Sequence, residues 1–170
     1  MSARRAVSIL IGVAMFGVAV THADPIPQFE EHGVAPVAPI EAMPPDLASH
    51  PDATTFRSVL QEGSAHGVNF AGHYTLVMWG CGSPCNRFAL IDRWTGAVYF
   101  PPIGPALGAQ FRADSTLLIA DPPGMIRLQC PELRHMFSTQ YWVWNEQHKS
   151  FQFLDERPFD LTVHGDGARC

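Results

Sequence analysis

The sequence predicts an α+β domain: a mainly antiparallel β-sheet of about five to six short strands with one short N-terminal helix, stapled by a disulfide. Three observations predict it. Apolar residues alternate with a period of two over several short runs. Those runs are separated by clusters of Gly, Pro, Asp and Asn that suit turns. Helical spacing occurs early, at Phe56, Val59 and Leu60.

Thr54 or Thr55 is placed to cap that helix, and Gly63 or Gly67 to end it. Gly67, Asn69 and Gly72 then suit a turn with positive backbone angles. A strand follows from His73 to Trp79, in which Tyr74, Leu76 and Met78 form an apolar face and His73, Thr75, Val77 and Trp79 a mixed one. The next strand, Arg87 to Asp92, is apolar through its middle. Arg93-Trp94-Thr95-Gly96 makes a turn, with Gly96 where positive φ is needed, and Ala97 to Phe100 returns as a third strand. Pro101, Pro102, Gly104 and Pro105 break the pattern.

Ser115 to Ala120 reads as a buried strand stopped by Asp121-Pro122-Pro123. A less regular connection carries Cys130 and Pro131. Thr139 to Trp144 and Phe151 to Leu154 form a last hairpin, with Trp142 and Trp144 on one face and Tyr141 and Val143 on the other. The strand, Asp-Arg-Trp-Thr-Gly, strand phrase has the form found in a propeller blade. No second copy follows at a fixed period, which excludes a propeller.

The ends of the chain carry a different composition. Residues 1–23 have the parts of a secretory signal: Arg4 and Arg5, an apolar run from Ala6 to Val20, and Thr21-His22-Ala23 before Asp24, which predicts cleavage after Ala23. The apolar run is shorter than a spanning helix needs, and no later stretch is long enough, so the mature chain is expected to have no transmembrane segment. No cysteine closely follows the signal, so no lipid anchor is expected there. Residues 24–52, rich in Pro and Ala, read as an extended or disordered tether, or as a segment whose scattered Ile, Val and Met drape over the domain. A single α+β domain over 53–164 and a flexible tail at 165–170 complete the division. Localisation is expected to be periplasmic or secreted.

Removing 23 of the 170 residues leaves about 147, enough for one sizeable core, and shifts the formal charge from −5 to −7 by the loss of two arginines. That balance, with Lys149 the sole lysine, argues against nucleic acid as a partner and shows no basic patch for a membrane surface. All four cysteines, Cys81, Cys85, Cys130 and Cys170, lie beyond the signal, in what should be an oxidising space. Of the three connectivities, Cys81 with Cys85 is preferred, and Cys130 with Cys170 follows. A ring as short as Cys81-Gly-Ser-Pro-Cys85 contributes about 2 kcal/mol by loop entropy, against about 4 for the longer loop, so its main effect is rigidity.

Candidate binding residues are Asn69, His73 and Trp79 near the strand, with Gly82, Ser83 and Pro84 in the cysteine-closed loop. No catalytic residue is assigned, and no cofactor or metal is expected. The eight histidines show no His-Glu-x-x-His spacing, and Ser83 lacks a nucleophile elbow. Asp92, Asp114 and Asp121 are explained by turn chemistry. Two alternatives stay open: His73 as acid or base in an envelope enzyme, which requires His73, Asn69 and a carboxylate to converge, and thiol-disulfide chemistry at Cys81 and Cys85. The latter lacks the Cys-x-x-Cys helix start such chemistry uses, and zinc on Cys81, Cys85 and His73, with His66 as a further candidate ligand, is disfavoured where thiolates oxidise.

The phrase Gly67-Val-Asn-Phe-Ala-Gly-His-Tyr-Thr75, followed by Trp79-Gly-Cys-Gly-Ser-Pro-Cys85, resembles a group of uncharacterised secreted or periplasmic bacterial proteins. The likeness continues through Ala89-Leu-Ile-Asp92, Thr95-Gly-Ala-Val-Tyr99, Asp114-Ser-Thr-Leu-Leu-Ile119 and Tyr141-Trp-Val-Trp144. It implies a compartment and a single domain. A looser, architectural likeness is to periplasmic inhibitors of vertebrate-type lysozyme, which present a cysteine-closed loop between two strands to the enzyme's cleft; the loop here lacks the histidine those inhibitors insert. Together these point to a soluble binding module that offers the Cys81–Cys85 loop to an envelope protein or cell-wall enzyme.

Overall fold

The computed structural model describes residues 25–35, 42–129 and 131–160. The expected signal sequence, the expected pairing of Cys130 with Cys170 and the expected flexible tail fall outside them. The described residues form seven strands and three short α-helices: α1 Arg57–Ser64, β1 Tyr74–Gly82, β2 Cys85–Asp92, β3 Val98–Tyr99, β4 Ala109–Phe111, β5 Leu117–Ala120, α2 Pro123–Arg127, α3 Pro131–Arg134, β6 Ser138–Asn145 and β7 Ser150–Pro158. The fold is mostly sheet with few helices, as the period-two runs predict.

The strands divide into two antiparallel sheets, β1-β2-β3 and β4-β5-β6-β7. Tyr74, Leu76, Phe88 and Leu90 from the first face Leu118, Ala120 and Trp144 from the second across a shared aromatic core. The opposite face of the first sheet, Val77, Ala89, Ile91 and Val98, packs against Leu60 of α1 and Ala53. Alternation along β1 thus feeds two cores at once.

Four details depart from the sequence reading. β4 is an additional strand, too short at three residues to show a period, and α2 and α3 occupy the irregular connection around Cys130. Neither Thr54 nor Thr55 caps α1, whose first flanking residue is Phe56 with no side-chain cap. A 3-10 turn at Pro51–Ala53 leads into it, and there the His50 imidazole accepts from the Asp52 N–H. Gly63 lies inside the helix, and its missing side chain lets α1 approach β1: a Cβ there would sit 2.3 Å from Val77 Cγ1.

The described parts of residues 24–52 lie on the domain. Gly33 pairs with Ser115 as an isolated bridge. Met43 N–H donates to Arg93 O at 3.1 Å, and Asp46 N–H to Gly96 O at 2.8 Å. Gly96 has φ +84, and a Cβ there would meet Pro44 O at 2.5 Å, so the draped segment and the β2–β3 turn fit only around a glycine.

Candidate functional site

The turn before β1 folds on itself. Gly67 and Gly72 have positive φ, and so has Ala71, at 44°. Asn69 uses its side-chain amide as a substitute peptide: Nδ2 donates to Leu76 O at 2.9 Å, and Leu76 N–H donates to Oδ1 at 2.7 Å. Thr75 Oγ1 donates to Gly67 O at 2.6 Å. Asn69 therefore spends one donor and one acceptor of its amide on holding the turn.

That turn is also fastened to both sheets. Ala71 N–H donates to Ser115 O and Gly72 N–H to Ala113 O, on the β4–β5 side, while Arg93 N–H donates to His73 O, at the end of β2. His73 is thereby fixed at the seam. Its ring lies against the Trp94 indole with centroids 3.6 Å apart and planes 2° apart, and against Tyr74 at 4.2 Å.

Around His73 gathers a polar cluster that the sequence reading did not assemble. Nε2 lies 3.6 Å from Glu146 Oε1 and 3.9 Å from Asp92 Oδ1, both beyond hydrogen-bond length, and it is buried without a partner. Lys149 Nζ donates to the Tyr74 hydroxyl at 2.8 Å and pairs with Glu146, and it lies 3.8 Å from Asp92 Oδ2. The Tyr74 hydroxyl donates to Glu146 Oε2 at 2.7 Å, and Trp144 Nε1 donates to the same oxygen at 3.0 Å. Asp92 Oδ1 also accepts from the Trp94 and Thr95 N–H groups, the turn role expected of it.

The titration of these groups follows from their surroundings. Burial holds the His73 imidazole below the usual histidine range; Asp92 and Glu146 pull it up, and Lys149 pulls it down. Burial pushes the Glu146 carboxyl up, but the hydrogen bonds from Lys149, Tyr74 and Trp144 outweigh it and leave Glu146 below its ordinary value. Burial, and then the bond to Glu146, push the Tyr74 phenol far up. The cluster thus sets an imidazole that burial depresses and a phenol that burial raises beside the side chains of Asp92, Glu146 and Lys149.

The cysteine-closed loop stands at the far end of β1. Cys81 and Cys85 are bonded, with Cα atoms 5.2 Å apart, and β1 bulges between Gly80 and Gly82. Residues 80–85 are all exposed. Below them Asn86 fixes the root, donating from its backbone N–H to Pro105 O at 2.9 Å and from Nδ2 to Ala106 O at 3.0 Å. Trp79 packs on Phe56 at 4.8 Å and Phe100 at 6.3 Å, which makes it a packing residue of the α1 side.

The predicted site residues are thus separated. Gly82, Ser83 and Pro84 share the tip, whereas His73 and Asn69 lie at the other end of β1, about 30 Å away along the strand from His73 to Gly82. Of the acid/base constellation, His73 and carboxylates converge and Asn69 does not join them. With Cys81 and Cys85 bonded to each other, neither is a thiolate for zinc. No group of three or more metal-ligating side chains suited to an ion occurs among the described residues, and no helix among them is long and apolar enough to cross a membrane. Glu146 and Lys149 passed for hairpin-loop residues in the sequence; their one visible signal was that Lys149 is the sole lysine. No family model, no curated protein and no solved structure matches this chain.

Proposed function

We propose that the chain is a periplasmic or secreted binding module that presents its Cys81–Cys85 tip to a protein of the cell envelope, in the manner of an inhibitor of a cell-wall-directed enzyme. One observation carries this reading: residues 80–85 are exposed on a tip closed by a disulfide and rooted by Asn86, with no titratable side chain on it and the Ser83 hydroxyl as its one polar side-chain group. A loop held in one shape loses little conformational entropy on docking, which favours affinity without chemistry. The double variant Ser83→Ala, Pro84→Ala tests it against immobilised peptidoglycan hydrolases, vertebrate-type lysozyme included. Loss of binding with an unchanged melting temperature supports the reading. Equal binding by both proteins, or binding by neither, overturns it.

A second reading, an acid/base role for His73 in an envelope enzyme, is favoured by the buried and unpartnered Nε2 beside two carboxylates. Thiol-disulfide chemistry gains no support from a bonded pair set between two strands, away from any helix start.

A further inference from the structure

At the end of β1 opposite the tip, a cavity of about 220 Å³ opens between the two sheets, with His73, Trp94, Trp144 and Glu146 in its wall beside Val34 and Ala71. We propose that this cavity binds a small primary ammonium ligand, seated against the Trp94 and Trp144 indoles and held by the Glu146 carboxylate and His73 Nε2. The site is separate from the tip, and it needs only binding, so it holds whether or not His73 performs acid/base chemistry.

Charge comes first. The charged groups facing His73 are Asp92, Glu146 and Lys149, two carboxylates against one ammonium, which leaves the seam one negative charge in excess while the imidazole is neutral. Half of the Glu146 side chain is exposed, so its carboxylate is reachable.

Hydrogen bonding selects the ligand further. Nε2 belongs to a histidine only 6% exposed and has no partner, and an unsatisfied buried nitrogen is costly. Its two carboxylate neighbours, at 3.6 and 3.9 Å, are too far to bond it and close enough to repel any anion or carbonyl placed between them. An ammonium carries three donors and no acceptor, so it can serve Nε2 and a carboxylate together. The aromatic walls add cation–π attraction. The protein already contains one instance of this recognition: Lys149 Nζ bonds Tyr74 and Glu146 and lies 5.5 Å from the centre of the Tyr74 ring. The volume equals that of roughly seven waters, which limits the guest to a few heavy atoms.

The test is a nitrogen-detected NMR titration of the mature protein at about pH 7.5 with n-butylammonium chloride, and in parallel with n-butanol and sodium butyrate at matched ionic strength. Saturable shifts at the Trp94 and Trp144 indole N–H groups are expected with the amine. The His73 ring is expected to move toward the tautomer protonated on Nδ1, since Nε2 becomes an acceptor. Binding should be at least about tenfold tighter for the amine than for butanol or butyrate. Trp94→Ala, at a half-exposed position, should weaken amine binding at least about fivefold. Equal affinity for butanol, no saturable shift with the amine, or undiminished binding by Trp94→Ala would each overturn the proposal.

Discussion

The indole of the half-exposed Trp94 lies flat on the imidazole of the buried His73, with ring centroids 3.6 Å apart. Trp94 is thus the outer cover of the seam between the two sheets, and it is placed there by the Asp92 carboxylate, which accepts the Trp94 N–H at 2.9 Å.

Removing the cover should therefore change the titration of His73. In Trp94→Ala the burial that depresses the imidazole is relieved while Asp92 and Glu146 remain, so the His73 pKa should rise, as read by NMR titration of the ring. The cost in stability is expected to be about 1 kcal/mol, the worth of one aromatic pair. An unmoved pKa would mean that burial by Trp94 is not what holds it down.

Stability should depend on pH in a defined window. Because His73 is depressed in the fold, its contribution is present above the ordinary histidine value of about 6.5 and is lost as pH falls from there through the folded value. Glu146, also depressed, adds a second loss as pH falls below its ordinary value of about 4.5. Urea midpoints measured across this range should show both steps. His73→Gln should abolish the upper one and leave the lower.

Gly63→Ala should destabilise the protein although alanine favours helix. The new Cβ would overlap Val77 at 2.3 Å, and overpacking of this kind costs about 1–3 kcal/mol, more than the roughly 1 kcal/mol gained in helix propensity. Adding Val77→Ala should recover part of the loss, so the two substitutions will be non-additive in denaturant unfolding. Strict additivity would show that α1 moves away at little cost.

Asp121 collects three backbone donors, from Ala106, Leu107 and Gly108, at 3.0, 2.6 and 3.3 Å. Asp121→Ala should cost about 1–3 kcal/mol and speed amide exchange at those three residues. Asp121→Asn, which keeps one oxygen and tolerates the positive φ of 49° at this position, should cost less.

Much of this fold could be read from the sequence, and the reasons are local. Tyr74, Leu76 and Met78 against Val77 and Trp79 state a two-faced strand by alternation alone, and Gly96 marks the β2–β3 turn by the backbone angle it must adopt. Division into two sheets was not legible, because pairing partners such as Ala120 and Gln140, or Trp142 and Phe153, are fixed by topology and a bulge. The Cys81–Cys85 bond was legible because a five-residue ring with Gly82 and Pro84 inside it brings the cysteines together by itself. The cluster at His73 was not. It joins Tyr74 to Glu146 and Lys149, more than seventy positions later, and nothing local distinguishes those two from any other polar turn residues.

Asn69 has a consequence for how this molecule behaves in a crowded solution. β1 is an edge strand of its sheet among the described residues, and an open edge is a template on which another chain can add. Here the outward peptide groups of Tyr74 are taken by Asn69 and Phe70, and those of Leu76 by the Asn69 amide. The same asparagine that shapes the turn therefore also covers the Tyr74–Leu76 stretch of this edge against an added strand.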